Sequence, residues 1–468
     1  MFLIASWIMG CFVLIPVPVL HVIAISTGLG VDRASRTAEQ EKVLRVISGE
    51  QQPEWLRSQP DRVVYLPRGG TWNDGDNEHF LVFPSPDKLE LLAIWTQSTR
   101  EGFGDNHLVI ARSRQGVEWS DPESIIGTHK DTHEFQASWG FPVVSRPGKI
   151  YCFYTRAKQG VPGGVSGIMG GVVSDNNGRT WTTGPDRVVP STREDPSDLD
   201  SPEIGCFIVW QKPIRDSHGR LLVGYTRWDN QTGDAAEGSL HFMRFDNIDE
   251  GPTLRNVEIT WLPDEPAGVR LPRYVQPSGC EEPSLVLLPD GRLMTTMRTR
   301  TGYIWYTLSA DDGNSWRDPE VLRYSDTGKK IKQPLASCPI YPLQDGRFLL
   351  LFHNNDHVAR HEHSGDPLPP RHPDIPLSPI FCYRRPAFIA IGEYRRQAHQ
   401  PVWFSQPRQL LDTQGIPIGP KRTDEIATYT SMTWYGGEQV LWYPDRKYFL
   451  LGKIISESIL SGMAVPEN

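Results

Sequence analysis

Cysteine is scarce in this chain. Its 468 residues include six cysteines, and no two of them stand in a C-x-x-C spacing. That absence argues against a zinc site or a dithiol redox motif, because both need closely spaced thiols. Five cysteines lie beyond the first 35 residues, mostly beside strand-like residues, so we expect buried thiols there: Cys152, Cys206, Cys280, Cys338 and Cys382.

Runs of basic residues and long helical patterns are also missing. The net charge is −8 and no Lys/Arg cluster stands out, which argues against a nucleic-acid partner. No 3.6-residue apolar period persists outside the N-terminus. The chain is instead rich in turn formers and aromatics, with 42 Gly, 40 Pro and 15 Trp. This composition favours many short strands.

The first 35 residues differ from the rest. Residues 2–31 are almost wholly apolar, with Pro16 and Pro18 inside the run. We predict a signal peptide or membrane anchor over residues 1–35 and one propeller domain over residues 36–468. The expected location is therefore secreted, periplasmic or membrane-anchored. No Lys or Arg precedes the run, so a misassigned start codon is the alternative.

A β-rich unit repeats along the chain and ends in a recognisable octet. In its clearest copy two strands flank the turn Pro289–Arg292, and Ser309–Trp316 then fits S-x-D-x-G-x-[ST]-W, the Asp box. Ser174–Trp181 is a second copy with Asn176 at the acidic position, and Ser113–Trp119 is a shorter third. The acidic or amide side chain caps the turn, glycine supplies a positive φ, and tryptophan packs between strands or blades. The box is thus a structural staple.

Six such units can be placed. Each has room for four strands of about 5–6 residues, as in a propeller blade. A strand at 62–66 would complete the last blade and close the ring, which leaves no long sheet edge exposed. We therefore predict an all-β, six-bladed β-propeller preceded by an apolar N-terminal segment. The blades begin near Glu78, Ala137, Gly205, Glu281, Cys338 and Thr428.

These features resemble the sialidase (neuraminidase) superfamily of Asp-box, or BNR-repeat, propellers. Glu282 and Arg298 are sixteen residues apart around an Asp-Gly turn, as are the active-site glutamate and the second carboxylate-binding arginine of that family. The segment 427–431 resembles the one that carries the nucleophilic tyrosine, here Tyr429. Gly104–His107 precedes a strand as the family's acid/base loop does, which implicates Asp105.

The resemblance implies a chemical role for each residue. Tyr429 is the nucleophile, Glu282 its base and Asp105 the acid/base. A phenol with a pKa near 10 is a poor nucleophile until a glutamate takes its proton, and its neutrality avoids repulsion from a sugar acid. Arginines bind the sugar carboxylate bidentately. Arg298 is one such clamp, and Arg384 or Arg385 is the candidate for the third.

The first family arginine has no counterpart here. The matching stretch, residues 77–82, lacks arginine, and Glu78 or His79 stands in its place. His79 and His107 join the substrate-binding candidates on this ground. Loss of one clamp weakens recognition of sialic acid, so a different uronic or non-sialic sugar fits the pattern as well.

The expected function is therefore a sialidase-like glycoside hydrolase, of exo-α-sialidase type, that removes a terminal acidic sugar from a glycan. We expect a monomer with no cofactor and no metal. Two alternatives stay open: a propeller polysaccharide lyase acting on uronates, for which His107, Tyr154 and Arg156 are suitable residues, and a non-catalytic carbohydrate-binding propeller. Several histidines are either solvated loop residues or a metal site: His129, His133, His353, His357, His361, His363 and His372.

Overall fold

Alternating apolar strands and tight turns build almost all of the ordered chain. The computed structural model describes residues 53–127, 135–158, 164–190, 205–228, 238–265, 267–356 and 383–467. Their strands form six antiparallel sheets, which confirms the all-β six-bladed propeller. Helix is confined to Glu457–Leu460 and to 3-10 turns at Glu54–Leu56, Gly70–Trp72, Ile248–Glu250 and Leu254–Asn256 among these residues.

The strands follow one another blade by blade. β1 is Arg62–Tyr65; blade 1 has β2 Asp76–Pro84, β3 Leu91–Ser98, β4 His107–Ser113 and β5 Glu123–Gly127; blade 2 has β6 Phe135–Val144, β7 Ile150–Lys158, β8 Ile168–Ser174, β9 Thr182–Thr183 and β10 Arg187–Val188. Blade 3 has β11 Cys206–Ile208, β12 Ile214–Arg215, β13 Leu221–Trp228, β14 Ser239–Phe245 and β15 Ile259–Leu262; blade 4 has β16 Cys280–Leu287, β17 Leu293–Thr299, β18 Trp305–Ser309 and β19 Glu320–Val321. Blade 5 has β20 Ile340–Pro342, β21 Phe348–Phe352, β22 Ala387–Tyr394, β23 Val402–Phe404 and β24 Arg408–Leu411; blade 6 has β25 Ser431–Tyr435, β26 Glu438–Asp445 and β27 Phe449–Ile454.

The first strand completes the last blade. β1 pairs antiparallel with β27, with Arg62 opposite Gly452, so the N-terminal end of the propeller closes the ring as predicted. Burial follows from the stacking of blades, because each sheet packs on both faces. In β17, for example, Leu293 and Met297 face blade 3 while Met294 faces blade 5. The core is thus divided among the spaces between blades.

The Asp boxes lie between the third and fourth strands of their blades. In Ser309–Trp316, Asp311 Oδ1 accepts bonds from Ser309 Oγ (2.8 Å) and the Ser315 backbone N–H (2.9 Å). Trp316 stacks on Phe242 of blade 3, with ring centroids 4.4 Å apart. The shorter box of blade 1 likewise sets Trp119 against Trp442 of blade 6. Each tryptophan thus joins its blade to the preceding one, as the staple role predicts.

One lysine crosses the centre of the ring. Lys212 of blade 3 donates from Nζ to the carbonyl oxygens of Val82 in β2 (2.6 Å) and Met432 in β25 (2.8 Å). Its neighbour Gln211 donates to Ser284 Oγ of blade 4 at 2.8 Å. Four blades therefore meet at these two side chains. This contact partly fills the channel that six radial sheets leave at their axis.

Four thiols lie within the described residues. Cys152, Cys206, Cys280 and Cys338 are buried and free, as predicted for these four. Burial raises the pKa of Cys152 and of Cys280 to about 12, so neither is a reactive thiolate at neutral pH. Cys382 and the predicted signal or anchor segment, residues 1–35, lie outside the described residues. Among the residues that are described, no helix has the length and apolar character needed to cross a membrane.

The Asp-box staple predicts a measurable contribution to stability. Trp316→Ala removes the stack on Phe242 and should lower the free energy of unfolding by about 2–3 kcal/mol, less than for a fully buried tryptophan. Chemical denaturation followed by circular dichroism measures it. Trp434→Ala is the matched control, since that ring is 47% exposed and its loss should change little. Equal effects in the two variants would contradict the staple role.

Candidate active site

Three inner-strand residues and Tyr429, just before β25, share an unusual backbone conformation. His79, Trp139, Glu282 and Tyr429 have φ between 51° and 65°, in the left-handed region that bulky residues rarely adopt. At the first three, the strand pairing also slips by a bulge. A bulge turns a side chain away from the pleat, so these residues can point at the axis instead of between blades. Such strained positions cluster at functional sites.

Tyr429 and Glu282 meet at this axis. Tyr429 Oη donates to Glu282 Oε1 at 2.8 Å, and both side chains are buried. They come from blades 6 and 4, which are not neighbours, so only the centre of the ring can bring them together. Burial, and then the Glu282 carboxylate, raises the pKa of Tyr429 far above its usual range. The phenol is therefore neutral, and its proton already points at a base.

Arg298 holds the glutamate in place. It donates from Nη1 to Glu282 Oε1, and its Nε lies 3.1 Å from Glu281 Oε2. Trp228 Nε1 donates to the other oxygen of Glu281 at 2.9 Å. Burial opposes the charge of Arg298, but Glu282 and Glu281 outweigh it and raise the pKa of the guanidinium. Burial also raises the pKa of Glu281, to about 7.

His79 stacks on the nucleophile candidate. Its ring lies 4.1 Å from that of Tyr429 at an interplanar angle of 17°, and Trp139 packs against its other side at 5.3 Å. Trp210 of blade 3 approaches Tyr429 as well, at 6.2 Å. Burial, and then Lys447, lowers the pKa of His79 well below its usual value, so the imidazole is neutral. The phenol thus sits in an aromatic enclosure.

A buried lysine stands beside this enclosure. Lys447 Nζ lies 5.3 Å from the centroid of the Tyr429 ring and 2.8 Å from both Glu78 Oε2 and Glu101 Oε2. Burial opposes its charge, but Glu101 and Glu78 raise its pKa well above the usual value. The two glutamates share this ammonium, and Glu101 also pairs with Lys421. Burial raises the pKa of Glu78, whereas Lys447 and Lys421 together outweigh burial at Glu101 and lower its pKa to about 2.

The two arginine candidates of blade 5 lie in different surroundings. Arg384 is buried, donates to Glu425 Oε2 at 2.9 Å, and lies close enough to Tyr429 and Arg298 for its charge to act on both. Arg385 instead pairs with Asp412 at 3.0 Å and is partly exposed. The geometry thus favours Arg384 over Arg385 as the arginine at the axis.

Asp105 and His107 occupy the loop before β4. The Asp105 carboxylate accepts bonds from Thr99 Oγ1 (2.6 Å) and from the Thr99 backbone N–H (3.2 Å), as a turn cap does. His107 contacts the Asp105 carbonyl oxygen at 3.2 Å and Gln97 Oε1 at 3.3 Å. The structure brings Tyr429, Glu282, Arg298, His79 and Arg384 together, and it shows Asp105 and His107 in contacts of their own. All these roles stay predictions.

Two of the lyase candidates, Tyr154 and Arg156, both contact the ring of Phe135 in blade 2. Tyr154 stacks on Phe135 within the core between blades 1 and 2, and Arg156 pairs with Asp186 at 3.2 Å. His353 is buried and lies 2.9 Å from the Ile426 carbonyl oxygen. The other loop histidines named above, His129, His133, His357, His361, His363 and His372, lie outside the described residues.

Several residues of the site have no sequence signal or a weak one. Lys447 and Glu101 lie in segments that resemble ordinary turns, and nothing in the sequence marks them. Glu425 lies four residues before Tyr429, and this proximity in sequence is the only indication that it belongs to the site. Trp139 has the strongest signal, since it stands just inside a blade start, as His79, Glu282 and Tyr429 do.

Comparisons with known proteins agree with this architecture. Residues 89–435 match the family described as BNR repeat-like domain. No curated protein matches the chain. Solved structures with the same fold include an intramolecular trans-sialidase from leech, with a TM-score of 0.55 and 13% identity over 87% of this chain and 71% of that one.

Two further structures cover nearly all of their own length. An intramolecular trans-sialidase from Ruminococcus gnavus has a TM-score of 0.54 and 13% identity, covering 86% of this chain and 98% of that one. A protein of unknown function from Dyadobacter fermentans DSM 18053 has a TM-score of 0.55 and 15% identity, covering 85% of this chain and 98% of that one. At these identities the likeness concerns the fold.

The shared lysine yields a prediction about stability and pH. Lys447→Met leaves Glu78 buried without its cation and should lower the free energy of unfolding by about 3 kcal/mol at pH 8. The loss should be smaller at pH 5. Without the lysine, the folded-state pKa of Glu78 lies further above its unfolded value of about 4.5, and stability is lost as pH rises through that folded-state pKa.

Denaturant unfolding at the two pH values measures both effects. Lys453→Met is the matched control, because Lys453 pairs with Asp61 at 3.3 Å near the surface and its loss should cost within about 1 kcal/mol at either pH. A Lys447→Met variant as stable at pH 8 as at pH 5 would show that Glu78 does not depend on this lysine.

Proposed function

The chain belongs to the BNR repeat-like domain family, and from the residues at its axis we propose that it is a sialidase-like glycoside hydrolase. Tyr429 is the nucleophile and Glu282 its base. The observation that carries the proposal is the buried 2.8 Å hydrogen bond from Tyr429 Oη to Glu282 Oε1. A nucleophile within hydrogen-bond reach of a base, with the base oriented by a third group, is the arrangement of covalent catalysis. Arg298 is that third group.

The proposed reaction has two steps. Tyr429 Oη attacks the anomeric carbon as Glu282 takes its proton, while the glycosidic C–O bond breaks and a general acid protonates the leaving oxygen. A water molecule then attacks the same carbon and gives its proton to the general acid, which the first step left as a carboxylate. The bond to Tyr429 breaks, and the phenolate recovers its proton from Glu282. Both attacks occur at the anomeric carbon, so the sugar is released with retained configuration.

The electrostatics of the site support this order of events. The raised pKa of Tyr429 keeps the phenol neutral until attack, so deprotonation has to be concerted with bond formation. Lys447 and Arg298 both favour the negative charge that builds on the phenol oxygen. Fixed charges that face a developing charge lower the barrier without reorganising during the reaction.

The general acid has two candidates. Asp105 holds the position that the resemblance implies, and its bonds to Thr99 would have to open for it to reach a leaving oxygen. Glu78 stands beside His79, 3.8 Å from His79 Nδ1, and burial raises the pKa of its carboxyl, as an acid at neutral pH requires. We propose Asp105 as the acid, with Glu78 as the second candidate.

The hydrolase proposal is better supported than its rivals. A lyase using His107, Tyr154 and Arg156 needs side chains that can reach a sugar, whereas Tyr154 is packed in the core and Arg156 is paired with Asp186. A non-catalytic binding propeller has no need of a strained tyrosine aimed at a glutamate. We further propose a glycan as the partner and an extracytoplasmic location, on the strength of the apolar N-terminal run.

The proposal predicts the effect of removing one oxygen atom. Tyr429→Phe should reduce turnover at least ~100-fold with folding unchanged, because the nucleophile is lost while the ring stack remains. Fluorogenic 4-methylumbelliferyl glycosides of neutral and acidic sugars measure turnover. Tyr435→Phe is the control, since its hydroxyl donates, in an exposed position, to the Arg114 and Lys88 carbonyl oxygens of blade 1. Full activity in Tyr429→Phe would exclude the mechanism.

The same assays separate hydrolysis from elimination. A hydrolase should release a reducing sugar with no new ultraviolet absorbance, because no double bond forms. A lyase acting on a uronate-containing polysaccharide would instead generate the absorbance of a 4,5-unsaturated product. Appearance of that band with wild-type protein would favour the lyase alternative.

A further inference from the structure

His79 is buried with its hydrogen-bonding capacity unused. Its exposed fraction is 2%, and neither ring nitrogen has a hydrogen-bond partner among the described residues. Its nearest carboxylate oxygen, Glu78 Oε1, lies 3.8 Å from Nδ1, beyond hydrogen-bond reach. Buried polar atoms without partners are destabilising, and their persistence at a site needs an explanation. A bound ligand at the axis supplies one.

The position of His79 ties it to the reacting centre. It stacks face to face on Tyr429, so a sugar placed for attack by the phenol lies within reach of the imidazole edge. It also stands where the resemblance leads us to expect the first carboxylate-binding arginine. The neutral imidazole offers one N–H donor and one acceptor. That pair suits a hydroxyl or an amide, which both donates and accepts, and suits a carboxylate poorly because a carboxylate only accepts.

The cations around the axis are already paired. Arg298 lies between Glu281 and Glu282, Arg384 binds Glu425, and Lys447 binds Glu78 and Glu101. Lys421 also pairs with Glu101, so four cations face these five carboxylates before any ligand enters. A sugar carboxylate would have to compete with the protein's own glutamates, and it would add a further negative charge to a buried cluster. An uncharged sugar neither competes with these glutamates for the cations nor adds negative charge to the cluster.

We propose that His79 determines the specificity of the site by binding a hydroxyl or amide group, so that the sugar held against Tyr429 is uncharged instead of acidic. The inference rests on the proposed function in taking the ligand to be a glycoside. It narrows the substrate class, and it gives a reason for the missing first arginine. A site built to bond a neutral polar group discriminates strongly against a ligand that lacks it.

Matched sugars test this directly. The full-length protein is titrated calorimetrically with pairs of methyl glycosides that differ only at C6: galactoside and galacturonide, glucoside and glucuronide, mannoside and mannuronide. N-acetylneuraminic acid completes the set. We expect the neutral member of at least one pair to bind about tenfold or more tightly than its acid and than N-acetylneuraminic acid. Tighter binding of an acid, or binding of neither member of any pair, would overturn the inference.

Substitutions at one position separate charge from packing. His79→Arg introduces a cation and should abolish or reverse the preference for the neutral sugar over the acid. His79→Gln keeps a donor and an acceptor and should retain that preference. His79→Leu should weaken binding of the neutral sugar about tenfold. His218→Arg adds the same charge in an exposed loop of blade 3 and should change nothing. If His79→Arg fails to fold in a melting assay, the Gln and Leu variants still decide. Equal affinities in Gln, Leu and wild type would contradict the role.

Failure of this inference differs from failure of the proposed function. Turnover of the 4-methylumbelliferyl forms, compared between wild type and Tyr429→Phe, tests the hydrolase alone. Tyr429-dependent turnover that prefers an acidic sugar overturns the specificity of His79 and leaves the hydrolase standing. A clear preference for binding neutral sugars, with no turnover of any of them, does the reverse.

Discussion

The backbone is left-handed at three places within inner strands and at a fourth just before β25, and the candidate site depends on this conformation. A regular strand would direct His79, Glu282 and Tyr429 between the blades, where the apolar core lies. The left-handed residue, φ 52° at Glu282, turns the side chain toward the axis instead. Each such residue costs on the order of 1–3 kcal/mol, which the closed ring of packed blades has to absorb. The interlocked Asp-box tryptophans and the closure by β1 are therefore conditions for the active-site geometry as well as for stability.

Charge pairing is the second condition. Burying carboxylates beside a tyrosine is unfavourable unless cations neutralise them, and Arg298, Arg384 and Lys447 do so from three different blades. Each cation both stabilises its glutamates and places positive potential near the phenol oxygen. The same ion pairs thus stabilise the fold and set the electrostatic potential at the Tyr429 phenol. These cations are paired with the protein's own acids, whereas the buried His79 has no hydrogen-bond partner among the described residues, and we propose that a ligand supplies it.

The sequence was informative where structure is local. The Asp boxes, the Asp-Gly turns and the alternating strands are decided within about ten residues, so the blade starts and the closing strand 62–66 were predicted correctly. Glu282 and Tyr429, 147 positions apart, were linked through the resemblance; the structure shows their contact, and their catalytic roles stay predictions. The sequence did not predict Lys447 at the site, because its partner Glu78 is 369 positions away and only ring closure brings the two together. The sequence also could not distinguish Arg384 from Arg385. Their side chains point to opposite sides of the backbone, and nothing in the sequence says which side faces the axis.

The proposed tyrosine nucleophile suits these neighbours, whichever sugar binds. The use of a phenol as nucleophile is usually explained by the need to avoid repulsion from an anionic substrate. Here the protein supplies the negative charge itself, because five carboxylates stand around the axis before a ligand arrives. A carboxylate nucleophile would add a sixth, with its pKa raised by burial and by repulsion until it was protonated and inert. A phenol can be buried neutral and can lose its proton to Glu282 only as it attacks. The same enclosure that makes the tyrosine necessary therefore disfavours an acidic sugar, and a neutral imidazole stacked on the nucleophile fits that constraint better than an arginine would.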